Sequence, residues 1–530
     1  MQMNANSVVV EHASEVPRSK SAVDSASLVR NTALNFVGQV LPLVAGIVLL
    51  PYIVRGLGPD RFGMLGIVWI VFGYFSLMDL GLGRATTKFL AEWLARKESS
   101  RISEMVWSSI SLQVLLGLLG CILLAALTPF LVGRVLRTPA FLLVEGRDTF
   151  YVLAAALPII LATNGLRAVL EGCQRFDISN LLRAPSSVLA FVIPALGVAL
   201  GLHLPGIVMC LGISRLAFVF AHAFYCFQVL PCLKVRPTLG LSTMVPLLSF
   251  GGWVTASNLV NPILLSMDRL LIGALLSVAM VGYYTAPFEA VTKLWMIPAS
   301  LMSAVYPACS ALGGGQVRDL QLLYSRSIKY LFCALAPISL VLVLFARPII
   351  GSWLGLGFVE KSAVLLQLLA LGVFINCFAH VPYCFLQALG RPDSAAKLFL
   401  LEVIPFSLLV WWMVEHYGMA GAAAASAIRV AIEAVLLMFL TWRLFSLSAV
   451  HVFDHRMWIA LAALCAMGVG LYTTNFFLRH SVVVDGSICG LWIAGFVFTV
   501  WKWVLEDADR SSALAVMRPL RGLRECVGAD

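Results

Sequence analysis

Charge is what this sequence has least of. Only 12% of its 530 residues are Asp, Glu, Lys or Arg, 60% are hydrophobic, and the mean hydropathy is +0.93. A soluble domain carries roughly 25% charged residues, so a water-soluble globular class is excluded. The long apolar runs also lack the residue-by-residue alternation of a transmembrane barrel strand, and open sheet edges cannot be satisfied in lipid. What remains is an all-α class, a polytopic membrane helical bundle.

Other absences narrow the chemistry. The twelve cysteines, from Cys121 to Cys526, show neither C-x-x-C nor zinc-ligand spacing. Most lie in apolar runs, where cysteine packs as a small apolar residue, and no disulfide framework is expected. No G-x-x-x-x-G-K-[ST] stretch is present, so ATP hydrolysis is not encoded. His451 and His455 stand four apart beside Asp454 with no third ligand in sequence reach; a solvated helix face accounts for them, and no metal site is assigned. Residues 1–27 are polar and lack a leading apolar core, unlike a cleavable signal peptide. They read as a disordered tail before a first helix that serves as its own anchor.

What is present is a series of fourteen apolar runs, each near the roughly 20 residues that a helix needs to cross a bilayer. They cover about 31–54, 62–80, 106–132, 149–170, 182–202, 205–230, 245–276, 282–309, 327–346, 363–388, 397–416, 419–442, 457–478 and 484–504. The gaps at 202–205, 276–282 and 416–419 are short enough to mark helical hairpins. With a cytoplasmic N-terminus, 25 of the 37 basic residues fall on the inner side, eight on the outer side and four within runs. This bias places both termini in the cytoplasm and requires an even number of passes. The net charge of +10 therefore reports orientation and contact with anionic headgroups, not nucleic-acid binding. The longest outer loop, about 133–148, is too small to house a catalytic apparatus, and no catalytic residue is assigned.

The chain also repeats. LEGCQRFD at 170–177 aligns with LQALGRPD at 386–393, a shift of 216 that pairs Arg175 with Arg391 and Asp177 with Asp393. A similar shift pairs Arg215 with Arg429 and Gly63 with Gly282. The expected organisation is a tail at 1–27, six-helix halves at 28–235 and 236–445, an extra helix pair at 446–505, and a basic tail at 506–530. Repeats of this kind, with an even helix count, keep the same orientation, and such transporters hold substrate between them.

Ionisable residues deep in a span cost roughly 2.5–3.5 kcal/mol on the insertion scale, so they pair, face protein or line water. Asp268 and Arg269 precede the turn near 277–281, and Glu289 and Lys293 follow it, all at similar depth. They either line a polar path or staple helices, and both readings stand at this point. Glu289–Lys293 and Arg429–Glu433 can each pair within one helix turn. Arg215, Arg429 and Glu433 read as peripheral intramembrane charges that serve packing. Glu402 reads as interfacial. Asp79, Gly81, Gly83 and Arg84, with Arg55 and Gly58 at the first turn, are candidate gate or hinge positions.

Several segments resemble one family. They are RNTALNF at 30–36, LGPDRFG at 57–63, DLGLGRATTKFLAE at 79–92, EGCQRFDISN at 171–180 and LQALGRPD at 386–393. Together they resemble the polysaccharide (O-antigen repeat-unit) flippases of the multidrug/oligosaccharidyl-lipid/polysaccharide exporter superfamily. The resemblance implies a bacterial inner-membrane transporter that is not an enzyme. It further implies an undecaprenyl-diphosphate-linked oligosaccharide as substrate and alternating access as mechanism. Asp268, Arg269, Glu289 and Lys293 then fall beside a cavity lined by helices 1, 2, 7 and 8. No cofactor is implied beyond proton or sodium coupling, for which Asp268 and Glu289 are candidates. Partners would be membrane lipid, a polysaccharide polymerase and a chain-length regulator, and no nucleic acid. A cation-coupled multidrug antiporter of the same superfamily and a lipid II flippase are the alternative readings. The first expects mainly acidic cavity residues, whereas Arg269 and Lys293 stand here beside the acids.

Overall fold

The computed structural model describes residues 25–77, 82–96, 99–234, 263–313, 317–447, 454–477, 482–506 and 510. Expectations for the leading tail, Asp79, Gly81, His451 and most of the C-terminal tail fall outside them. Among the described residues the chain is helical and has no strand. Long apolar runs dictate this, because in lipid a helix satisfies every backbone polar group within its own segment. Two compact units divide the chain, Met1–Ala286 and Pro287–Asp530.

The first unit opens with α1 (Ser25–Leu77), α2 (Leu82–Arg96) and α3 (Ser99–Phe130). It continues with α4 (Leu143–Gly172), α5 (Phe176–Ala199), α6 (Leu204–Val229) and α7 at 263–275. The next helix, α8 (Val278–Thr292), contains the division between the units. The second unit holds α9 (Met296–Leu312), α10 (Val317–Leu344), α11 (Ala346–Trp353), α12 (Leu356–Ala388) and α13 (Pro392–Phe445). The final pair is α14 (His455–Phe477) and α15 (Val482–Thr499).

Among the described residues, eleven helical stretches are long and apolar enough to cross a membrane. Two of them, in α1 and α13, contain a reversal and count twice, which gives thirteen passes. Of the run at 245–276, only the end, α7, lies among the described residues. Each reversal turns on one glycine in the left-handed region, Gly58 at φ 72° and Gly418 at φ 61°. Side chains other than glycine rarely adopt this conformation. Pro59 then starts the second limb of α1, where its missing N–H costs nothing. The two limbs of α1 converge on one side chain of α5: Trp69 packs edge-on against Phe191 at 5.4 Å, and Gly46 lies beside the same ring.

At one end of the first unit, Arg61 grips Glu145 with Nε and Nη2 at 2.9–3.0 Å. Glu145 Oε1 also accepts the Leu204 N–H at 3.0 Å. A carboxylate there meets the unpaired donors and the positive dipole end of α6. At the start of α8, Ser277 Oγ accepts the Met280 N–H, a side-chain N-cap. Packed beneath α3, α4 and α6, α2 contributes Leu82, Ala85 and Leu90 to a core with Met105, Leu170 and Leu230.

The internal repeat appears as two copies of one turn. Arg175 N–H reaches back to Leu170 O at 2.9 Å, and Arg391 N–H reaches Leu386 O at 2.8 Å. The residue before each arginine, Gln174 or Gly390, has positive φ. Each arginine then pairs with the aspartate two residues on, Arg175–Asp177 at 3.0 Å and Arg391–Asp393 at 3.4 Å. In the first copy, the hydrogen bond to Asp177 lifts the Arg175 guanidinium further above its ordinary range.

Ion pairs tie the extra helix pair to α10. Lys329 Nζ donates to Asp454 Oδ2 at 3.3 Å, just before α14. Glu506, beyond α15, receives Arg326 at 2.6 Å and Arg456 at 3.1 Å.

Candidate functional site

The intramembrane charges form two sets. The first lies on α7 and α8. Asp268 is 2% exposed, and both its oxygens are occupied. Tyr284 Oη donates to Oδ2 at 2.5 Å, and the Arg269 backbone N–H donates to Oδ1 at 2.7 Å. Arg269 is 6% exposed and reaches Leu265 O with Nη2 at 3.3 Å. Within the first unit, then, Asp268 joins α7 to α8 through a tyrosine that the charge pattern did not reveal. A positional signal for it existed. Asp268 and Tyr284 are equidistant from the turn at 276, so an antiparallel hairpin brings them level.

Glu289 and Lys293 belong to the second unit. They form the expected i,i+4 pair at 3.2 Å, where a proline-containing helix passes into the 3-10 turn Lys293–Trp295. Their side chains keep 19% and 28% exposure. Of the four candidate path residues, these two keep part of their side chains exposed, whereas Asp268 and Arg269 are enclosed.

The second set is on α13. Arg429 Nη1 donates to Glu433 Oε2 at 2.7 Å and to Glu402 Oε2 at 3.4 Å, and its guanidinium lies over the Phe406 ring at 5.0 Å. Glu402 is buried within the protein, where the reversal at Gly418 sets it against Arg429. Arg215, the repeat counterpart of Arg429, is half-buried on α6. It donates to Ser186 Oγ at 3.3 Å and lies 5.9 Å from the Phe72 ring.

Among the candidate gate residues, Arg55 and Arg84 are exposed, and Gly58 forms the first reversal. Gly83 is buried near the start of α2, and its carbonyl accepts the Thr87 hydroxyl at 3.0 Å.

Comparison with known proteins places these helices in a family. The family described as "Polysaccharide biosynthesis protein" matches residues 28–312, more than half of the chain. The chain belongs to this polysaccharide biosynthesis family. A second family, MatE, matches residues 254–413. A Shigella flexneri protein named "Putative O-antigen transporter" is 29% identical over 79% of this chain and 99% of its own length. A Haloferax volcanii protein named "Probable flippase AglR" is 21% identical over 78% of this chain and 83% of its own. Among solved structures, the lipid II flippase MurJ in an inward closed conformation matches with TM-score 0.71 and 13% identity, over 89% of this chain and 98% of that one. An inward-facing multidrug resistance MATE family transporter matches with TM-score 0.66 and 17% identity, over 77% and 94%. These structural likenesses show the fold alone, one shared with both transporters.

Proposed function

We propose that this protein moves undecaprenyl-diphosphate-linked oligosaccharide repeat units across the bacterial inner membrane, with both termini cytoplasmic and no covalent chemistry. The observation that carries the reading is the match to an O-antigen transporter over nearly that protein's whole length. The physics of the substrate agrees. A diphosphate and a glycan must pass a medium that cannot hydrate them, while the polyprenyl tail stays in lipid. Charge in such a medium is stabilised by opposite charge and by donors. Lys293, the more exposed member of the α8 pair, is the group assigned to the diphosphate, and Glu289 holds it in place until the substrate arrives. Asp268 and Arg269, enclosed behind them in sequence, keep α7 and α8 in register along the path. Rocking of the repeated halves would supply alternating access, with proton or sodium coupling, and a polymerase and chain-length regulator would receive the product.

The test is complementation of a strain lacking its own repeat-unit flippase. The wild-type chain restores surface polymer. Lys293→Ala and Lys293→Glu lower it at least tenfold, with lipid-linked repeats accumulating and membrane levels of the protein unchanged. Full polymer from both variants would remove Lys293 from the path, and no rescue by a well-expressed wild-type chain would sink the substrate class.

A further inference from the structure

The charged set on α13 is unbalanced. Glu402, Arg429 and Glu433 are 9%, 9% and 8% exposed, and they offer two carboxylates to one guanidinium. Glu402 lies ten residues past the start of α13, and Arg429 eleven residues past the reversal at Gly418. Both are enclosed by protein, where an uncompensated charge is costly. Two ionised acids would leave one net negative charge there without compensation.

The two acids are not equivalent. Glu433 takes the short contact with Arg429, 2.7 Å, one helix turn away on the same limb. Glu402 takes the longer contact, 3.4 Å, and its Oε1 is buried with no hydrogen-bond partner among the described residues. Arg429 Nε is likewise buried without one. Among the described residues, Glu433 and Arg429 are the charged groups that bear on Glu402. The neighbouring α12 brings titratable groups that are neutral or turned aside: Cys377 is buried, His380 Nδ1 meets Asn376 O on its own helix, and Tyr383 packs on Phe399. A metal cation is disfavoured, because the guanidinium sits within hydrogen-bond reach of the same carboxylate and only one bare oxygen points into the site.

We infer that this triad binds one proton, carried by Glu402, while Glu433 remains the ionised partner of Arg429. The reversal at Gly418 builds the site, because it alone brings the lone acid of one limb against the ion pair of the other. The proton satisfies the charge count without a further ligand. Any rearrangement of α13 that admits water to Glu402 would release the proton, so the site can load and unload. The inference does not depend on the substrate reading above, and its test uses no substrate.

The test is infrared spectroscopy of the full-length protein in lipid bilayers at neutral pH. The wild type is expected to show a protonated-carboxyl carbonyl band that shifts in heavy water and fades as pH is raised. The wild-type-minus-variant difference should show this band for Glu402→Gln. Glu433→Gln should lose the same band, because Arg429 then needs Glu402 ionised. Gln has the shape and neutrality of the protonated acid, so the Glu402→Gln chain should melt within a few degrees of wild type. A Glu402→Gln spectrum identical to wild type would overturn the assignment. So would a large loss of stability in that variant, which would make Glu402 an ionised partner of Arg429 in a static bridge.

Discussion

Gly63 and Gly282 stand against one another, each backbone filling the space that a side chain on the other would need. A Cβ on Gly63 would strike Val278 O, and a Cβ on Gly282 would strike Pro59 O, the carbonyl four residues before the facing glycine in each case. The contact is reciprocal, and its residues are related by a shift of 219 positions (63 to 282, 59 to 278). Lipid tails are as apolar as leucine, so membrane helices gain little by burying apolar surface and depend on close packing through small residues.

Gly63→Ala and Gly282→Ala should each destabilise the protein by about 1–3 kcal/mol, the usual cost of overpacking. Gly73 has open space where a Cβ would stand, with nothing within 4 Å. It supplies the control, and Gly73→Ala should be neutral. Thermal melting of purified protein in detergent would show the difference. Equal melting of all three variants would mean that the close approach does not support the bundle.

The second prediction comes from the repeated turn. Gln174 adopts φ 59° where its counterpart Gly390 adopts φ 79°. A residue with a Cβ in this region carries roughly 1–2 kcal/mol of strain, which glycine escapes. Glycine gives back part of that gain in unfolded-state entropy. Gln174→Gly should therefore stabilise the chain by up to about 1 kcal/mol, and Gly390→Gln should cost about the same. Chemical denaturation of the two variants would check the pair. Both shifts in one direction would show that the two turns are not equivalent.

Much of this was legible in the sequence, and the illegible part has a physical cause. Apolar run length identified the passes, and the spacing of 216 identified the repeat whose Arg–Asp turns the fold contains twice. The i,i+4 pairs Glu289–Lys293 and Arg429–Glu433 could be read because one helix fixes both partners. Partners on the other limb of a hairpin were missed, as with Tyr284 for Asp268. The contact of Glu402 with Arg429 was missed for the same reason. Tyr284 is recovered by counting equal steps either way from the turn, which hydropathy windows do not do, whereas Glu402 and Arg429 stand sixteen and eleven residues from Gly418 and no such count pairs them. Longer-range partners, such as Glu145 for Arg61 or Glu506 for Arg326, depend on how separate helices pack, and no local pattern marks them.

The last prediction concerns how the extra helix pair is fastened. Lys329 keeps 7% side-chain exposure and meets Asp454, which is 39% exposed. Burial works against ionising Asp454, but the Met457 N–H and then the Lys329 ammonium outweigh it, holding the carboxyl below its ordinary range. A carboxyl whose folded value is depressed contributes stability above its unfolded value, about 3.9, and loses it as pH falls through the folded value. Asp454→Asn keeps an oxygen for the Met457 N–H, which the aspartate accepts at 2.8 Å, and so removes the ion pair while sparing the helix cap. At pH 7 the variant should be less stable by about 1–2 kcal/mol, below the figure for a fully buried pair because water reaches Asp454. As pH falls below about 4, wild type should lose this advantage and the two melting curves should converge. A gap that stays constant from neutral to acid pH would show that Lys329 draws no stability from the Asp454 charge, and the fastening of α14 to α10 would then rest on packing and the Glu506 pairs.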